Sequence, residues 1–433
     1  MAEIDRAAAT RTRRRDAETV RRRVAADVAV LGSGIAGISA ALEVARLGRR
    51  VALIDAAPQL GGESVGAMIG TFCGLYSAEA APRQVTHGIA DEILRDLRAA
   101  GDASDIVGRR RTIIVQYRIA ALQRWIEEAV RKTDIELVLS AALSGVRSTG
   151  RRLEVLELAT RYGPVEVTAT GFVDASGDAA LAWTAGLSVR EPEQAIYGTL
   201  MFTLDGVDWA ALASFDRAEL AASLKAKAAR YGLVRHDGVV FAAPQGGEVL
   251  VNMTHLETPL DPIKMSRAVL EGRAQADRLV AFLRAEFPHV FASARVRAYG
   301  LPGARQTRSI VGAYQLRADD VRAGTKFDDA IARCAWPIEL HDSANNVHWE
   351  EFGDGHMHYV PFRSLAHAEA DNLLAAGRCI DADPVALSSV RVMGPCIAMG
   401  AAAAQALELA GSGSVHQLDL AALKTRLRAN LED

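Results

Sequence analysis

Residues 26–37 read Ala-Asp-Val-Ala-Val-Leu-Gly-Ser-Gly-Ile-Ala-Gly, and this stretch decides the fold. Ala26 to Leu31 is a short apolar run with β-branched valines, and Ile35 to Leu47 carries apolar residues at helical spacing. Arg50 to Asp55 (RVALID) is a second apolar strand, so strand, glycine turn, helix and strand fit the length of one βαβ unit, about thirty residues. Gly32, Gly34 and Gly37 match GxGxxG, and each meets a steric need, namely a tight turn, backbone approach to a pyrophosphate, and close helix–strand packing. The helix N-terminus then faces phosphates, and Asp55, about twenty residues on, is placed to accept hydrogen bonds from ribose hydroxyls. A bound dinucleotide is implied. A glycine-rich packing turn is the competing reading, and it leaves Asp55 without a role.

Beyond this unit, Arg83 to Ala100 and Tyr117 to Lys132 read as helices and Ile135 to Leu139 as a strand. Leu153 to Leu158, Val165 to Thr168 and Gly171 to Asp174 follow as short strands, which suggests an antiparallel meander returning to the main sheet. The region from Val189 to Val360 mixes helices such as Pro262 to Ala285 with strands such as Val239 to Ala242 and Val249 to Asn252. Asn372 to Ala376 is a last strand, and the alanine-rich sequence after Arg391 reads as a long helix whose small residues permit close approach to another surface. The expected architecture is α/β: a Rossmann-like dinucleotide domain with a three-stranded meander, built from residues 25–188 and 360–433. An arm spans 1–24, and an α+β substrate domain, 189–359, is inserted.

Four further segments extend the pattern: Gly61-Gly62, Val173-Asp-Ala-Ser-Gly-Asp178, Ala376-Gly-Arg-Cys-Ile-Asp381, and Arg391-Val-Met-Gly-Pro-Cys396. With them the sequence resembles the FAD-dependent oxidoreductases distantly related to the fumarate reductase and glutathione reductase flavoproteins, from about Val24 to about Ala410. The resemblance implies FAD as the cofactor, held by Gly32, Gly34, Ile35, Ala36 and Gly37 at the turn, Asp55 and Ala56 at the second strand, and Gly61 and Gly62 after it. It adds Ala175, Ser176, Gly177 and Asp178 where the meander returns, Gly377 and Arg378 on the late strand, and Asp381 at the ribityl or pyrophosphate region. Arg391 and Gly394 would open the last helix near the flavin's pyrimidine ring, where an arginine and a helix N-terminus suit the negative charge of the reduced cofactor. A buried packing helix is the other reading of that segment. No second GxGxxG with the right flanks occurs, which argues against a separate NAD(P)H domain.

For the chemistry at the flavin, the candidates are His356, His358 and Tyr359, just ahead of the return to the FAD domain, and Arg305 and Arg308 in Gly303-Ala-Arg-Gln-Thr-Arg308. In an extended segment His356 and His358 share a face. Either histidine suits an acid or base, a metal pair lacking a third ligand is the rival, and structurally bonded histidines are the plain alternative, so no metal is assigned. The arginine fork suits a substrate carboxylate or phosphate, against ion pairs to Asp319 or Asp320. Cys73 follows Gly61-Gly62 in a region that runs along the flavin in related proteins. A redox or tethering role competes with that of a small buried thiol.

Composition bounds the rest. With 433 residues, half of them hydrophobic, the chain can build a large core, and 50 basic against 53 acidic residues give no global attraction to nucleic acid. The expected partner is a small-molecule substrate, with an anionic one as an option, and a homo-oligomer is compatible with the sequence. Four dispersed cysteines form no CxxC pair, so redox chemistry has to come from a bound cofactor. No apolar run reaches the length of a membrane span, since even the stretch after Ile397 stops at Glu408. Arg11, Arg13 to Arg15 and Arg21 to Arg23 enrich the N-terminus without a following signal core. A solvated arm is preferred to twin-arginine export, and the expected compartment is cytoplasmic. The leading functional expectation is an enzyme that transfers hydride between a small organic substrate and FAD. A non-catalytic or electron-transfer flavoprotein subunit and a NAD-dependent dehydrogenase are the alternatives.

Overall fold

Val28–Leu31 and Val51–Ile54 are four-residue apolar strands buried along their whole length, the pattern of strands covered on both faces. The structure, a computed structural model, describes residues 22–108 and 111–432. It sets five strands in parallel in the order Leu373–Ala375, Gly171–Asp174, Val28–Leu31, Val51–Ile54, Glu136–Val138. Strand order runs outward in opposite directions from Val28–Leu31. A crevice therefore opens at the carboxyl ends of Val28–Leu31 and Gly171–Asp174, the topological switch point where this class of sheet holds its ligands.

Two helices cover one face of this sheet and bind the ends of the chain together. Ile35–Arg46 leaves the glycine turn, and Met393–Ala410 packs against it so closely that a Cβ added at Gly400 would stand 2.1 Å from the Ala36 carbonyl oxygen. Small residues on both helices, among them Ala36, Ala40, Ala402 and Ala403, permit the approach, and Ser39 Oγ donates to the Ile397 carbonyl at 2.7 Å. Met393–Ala410 has the length and hydropathy of a membrane span, contrary to the expectation from its sequence. Yet 78% of its residues are buried inside the protein, so it is a core helix here.

The meander differs from the expected one in its position along the chain. Its antiparallel strands are Ala142–Thr149, Arg152–Thr160 and Gly163–Thr168, whereas Gly171–Asp174 belongs to the parallel sheet. The half-exposed Ala142–Thr149 lacks the continuous apolar run that marks the other strands. Arg22–Ala25 pairs in parallel with Gly163–Thr168, so the last residues assigned to the arm form a sheet strand. The rest of the arm lies outside the described residues.

The inserted region has its own antiparallel sheet, in the order Val239–Ala242, Val249–Asn252, Thr199–Asp205, Arg295–Gly303, with helix Pro262–Glu286 on one face. Its core gathers Phe202, Leu204, Leu279, Phe282, Leu283 and Phe291. The boundary expected at residue 360 falls much earlier in the packing. Ile310, Leu316, Ile331, Cys334, Trp336 and Ile338 are buried in the core of the large domain, because Ala330–Cys334 pairs with His358–Pro361 beside the long helix.

Replacing Gly400 with alanine forces the two helices apart and is expected to cost about 1–3 kcal/mol. The control Gly353→Ala, where a Cβ meets nothing within 4 Å, should be close to neutral. Urea denaturation of the two variants checks this, and equal stability would mean that the helices do not meet as described.

Candidate functional site

The cleft at the switch point is built from backbone first. Gly32 has φ +104°, and a Cβ on it would fall 2.2 Å from the Ala175 carbonyl oxygen, so only glycine lets the first strand end this close to its neighbour. Gly37 sits against the Gly32 carbonyl. At Gly34 a Cβ would meet nothing within 4 Å, and φ is −64°. Its empty side faces a cleft of about 290 Å³. Asp55 pins the turn from the second strand: its carboxylate accepts the Ser33 amide and hydroxyl, both at 2.6 Å, and the Ala57 amide at 2.7 Å.

Of the residues expected to hold the cofactor, Gly32, Gly34, Ile35, Ala36, Asp55, Gly62, Ala175, Ser176, Gly177, Asp178, Gly377, Arg378 and Arg391 line this cleft. Gly37, Ala56, Gly61, Asp381 and Gly394 do not. Gly61 donates its amide to the Ser33 carbonyl and Gly394 donates to the Cys73 carbonyl, so both shape the wall from behind. Ala56 is exposed. Asp381 is fully buried and turned away, accepting from Arg190 Nε at 2.9 Å and the Gly312 amide at 2.8 Å. Asp174, in the same segment as Ser176, receives the Leu181 and Ala182 amides and anchors the chain beneath the cleft. Burial raises its carboxyl above the ordinary range.

The fit to a flavin dinucleotide rests on donors that the protein leaves open. Among the described residues, no side chain caps the first turn of helix Ile35–Arg46, and Arg378 Nη1 and Arg391 Nε are buried without a hydrogen-bond partner. Acceptors of the kind a pyrophosphate and a flavin ring carry would satisfy them. Arg378 is held at 3.0 Å from Glu63, whose carboxylate also accepts the Ala304 amide.

Glu63, Arg378, Arg391 and Met393 are shared with a second cavity of about 500 Å³, roofed by the inserted sheet. Met201, Phe241, Trp336 and Trp349 supply apolar wall, and Arg305, Arg235 and Glu339 supply charge. Arg305 is buried and donates to the Tyr197 carbonyl at 2.8 Å. Burial and the neighbouring Arg235 and Arg391 work against its charge. Cys73 also lines this cavity, and burial keeps its thiol protonated, which makes it a poor nucleophile.

The other residues expected to act on the substrate stand elsewhere. His356 and His358 do share a side, their rings 5.5 Å apart, but His356 bonds to the Val321 carbonyl and His358 to Ser389 Oγ at 2.8 Å. Tyr359 lies under Lys326. Arg308 pairs with Glu191 at 2.9 Å and covers Trp183, while Arg305 turns to Tyr197, so the ion pairs to Asp319 or Asp320 are not what holds them. For His358 the reason is strand pairing, since His358–Pro361 lies against Ala330–Cys334, while His356, ahead of the strand, stacks on Phe352 with ring centroids 4.1 Å apart. Sequence reasoning misses Arg235, His255, Glu339 and His341, drawn together from distant segments. Glu339 and His341, two apart at a short strand, are the one local sign.

Two expectations follow. Gly34→Val should fold normally and lose FAD, since its side chain enters only the cleft. A flavin-loaded variant by absorbance would show that the cofactor lies elsewhere. His358 is pushed down to about 3 by burial, with His356 adding to the effect, so the unfolded ring takes up a proton that the folded one refuses. Below about pH 6.5 the protein should therefore lose about 1.4 kcal/mol per pH unit through this residue. In urea titrations His358→Gln should show a correspondingly flatter pH dependence, and an unchanged slope would contradict the buried neutral ring.

Comparison with known proteins adds the family. The sequence pattern of the FAD dependent oxidoreductase family matches residues 27–427. Among solved structures, the chain is similar to a geranylgeranyl bacteriochlorophyll reductase-like protein from Thermoplasma acidophilum, at 14% identity and a TM-score of 0.47 over 94% of this chain and 83% of that one. It is similar too to the flavin-dependent brominase Bmp2, at 14% identity and 0.44 over 94% and 83%. PqsL of P. aeruginosa matches at 14% and 0.43 over 94% and 93%. A search of the curated proteins finds no match. From the cleft, its open donors and the family match over nearly its whole length, the chain belongs to the FAD dependent oxidoreductases and is an enzyme with FAD as its cofactor.

Proposed function

We propose that this enzyme exchanges hydride between FAD and a small organic acid with an apolar body, bound in the cavity beneath the inserted sheet. The observation that carries the reading is the charge of that wall: Arg217, Arg235, Arg305, Arg378 and Arg391 stand against Glu63 and Glu339. An anion relieves the cost of holding Arg305 charged beside Arg235 and Arg391, and its planar fork suits a carboxylate. Trp336, Trp349, Phe241 and Met201 take the apolar part.

When bound, FAD supplies the two-electron chemistry. The protein's share is to orient and exclude. Arg305 holds the acid group, the aromatic wall displaces water from the rest of the substrate, and Arg391 serves both cavities from the start of the long helix. Contiguity of the two cavities supports an enzyme acting on a bound substrate over an electron-transfer subunit, which needs no such enclosed wall.

The test is anaerobic bleaching of the bound flavin by paired compounds, each acid beside its methyl ester. Acids should bleach and esters should not. With an acid that works, Arg305→Ala should raise the half-saturating concentration roughly 10–100-fold while leaving the limiting rate nearly unchanged, because the contact serves ground and transition states alike. Equal bleaching by acid and ester would overturn the anionic substrate.

A further inference from the structure

A chain of hydrogen bonds leaves the cavity beneath the inserted sheet and reaches a separate groove. Glu339, on the cavity wall, has Oε1 3.1 Å from His341 Nε2. His341 Nδ1 is 2.9 Å from His255 Nε2, and His255 Nδ1 is 2.9 Å from the Ala344 carbonyl oxygen. Both residues are 1% exposed. His255 and Ala344 line an outer groove of about 520 Å³, together with Tyr197, Gln275, Lys264 and Arg267. The cavity and the groove are thus linked through Glu339, His341 and His255 by two hydrogen bonds, and the third anchors His255 to the Ala344 carbonyl.

The partners dictate where the protons are. A carbonyl only accepts, so His255 carries hydrogen on Nδ1. In a neutral His255 ring Nε2 then accepts, and the hydrogen of the middle bond belongs to His341 Nδ1. One proton remains for His341 Nε2 and Glu339 Oε1 to share. Burial favours neutral rings, pushing His255 down to about 3 and His341 lower still, and the guanidinium groups of Arg235, Arg305 and Arg391 act in the same direction. Glu339 is the acid that faces His341. Asp237 is held by Arg235. The remaining contacts are fixed in place: Trp336 Nε1 donates to Glu339 Oε2 at 3.2 Å, Gln275 receives the His255 amide, and Tyr197 stacks on the His255 ring.

We propose that Glu339 takes up the proton that a substrate releases in the cavity, and that His341 and His255 pass a proton on to the outer groove. The proposal rests on the cavity beneath the inserted sheet being the substrate site. When oxidation of a substrate releases a proton, the substrate's bond to that hydrogen breaks and the Glu339 carboxylate forms an O–H bond to it, leaving the shared proton on His341 Nε2. His341 Nδ1 then gives its hydrogen to the bare His255 Nε2, and His255 Nδ1 leaves the Ala344 carbonyl to give its own to water in the outer groove. One proton enters and one leaves, and the electrons of the redox step are not carried by these residues.

Three measurements on the full chain test this. In protein labelled with ¹⁵N-histidine, His255 should show a protonated Nδ1 and a bare Nε2 at neutral pH, with or without flavin. The opposite tautomer would break the chain and overturn the proposal. In the flavin-loaded protein, the infrared difference spectrum on photoreduction with EDTA should contain a carboxylic-acid C=O band that moves in D₂O and is lost in Glu339→Gln. No Glu339-dependent band would overturn the proposal. In His255→Phe that band should persist but lag behind the wild type in its D₂O shift. An equal rate would remove His255 from the path. A chain that takes up no FAD would instead fail the flavin reading itself, and the histidine spectra would still report on the hydrogen bonds.

Discussion

The close backbone approach between Gly32 and Ala175 is the constraint on which the site depends. Two parallel strands end side by side, and the missing Cβ at Gly32 lets the first turn directly over the end of the other. The same turn starts a helix whose amides point into the crevice, and that helix lies against Met393–Ala410, which brings Arg391 to the opposite wall. Each of these contacts replaces side-chain volume with backbone proximity. A larger residue at the turn or at the helix crossing would move the two walls of the cleft relative to each other.

Charge is distributed with equal economy. The cleft and the adjoining cavity hold arginines that are buried yet incompletely bonded, an arrangement that acceptors on a bound group would satisfy. In the inserted domain the sheet turns one face to its own aromatic core and the other, with Met201 and Phe241, to the cavity. Its second contribution is less visible. It delivers His255 to the end of a polar chain that begins on the large domain at Glu339.

The residues misread from the sequence share one cause. His356, His358 and Tyr359 precede the return to the FAD domain, which makes them candidates by position along the chain. The pairing of His358–Pro361 with Ala330–Cys334 then carries His358 into the packing beside Ser389, while His356, just ahead of the strand, is held by the Val321 carbonyl and Tyr359 lies under Lys326. Asp381 departs from expectation for a similar reason: an acid after Gly377-Arg378 suggests contact with the cofactor, while Arg190 and the Gly312 amide hold it behind the wall. Local pattern decides which residues alternate or cluster, but not which face of an element meets a cavity.

By itself the sequence determined the βαβ unit, the glycine turn and the small-residue helix after Arg391, because each of these follows from local periodicity and from steric needs that only certain residues meet. Most of the residues that line the cleft at the switch point were legible for that reason. The position of Arg305 on the cavity wall was legible only as one of two arginines in a promising stretch. The Glu339–His341–His255 chain was decided by tertiary structure alone. Its two histidines are 86 residues apart, and what joins them is a 2.9 Å hydrogen bond between two domains, a contact that no local spacing encodes.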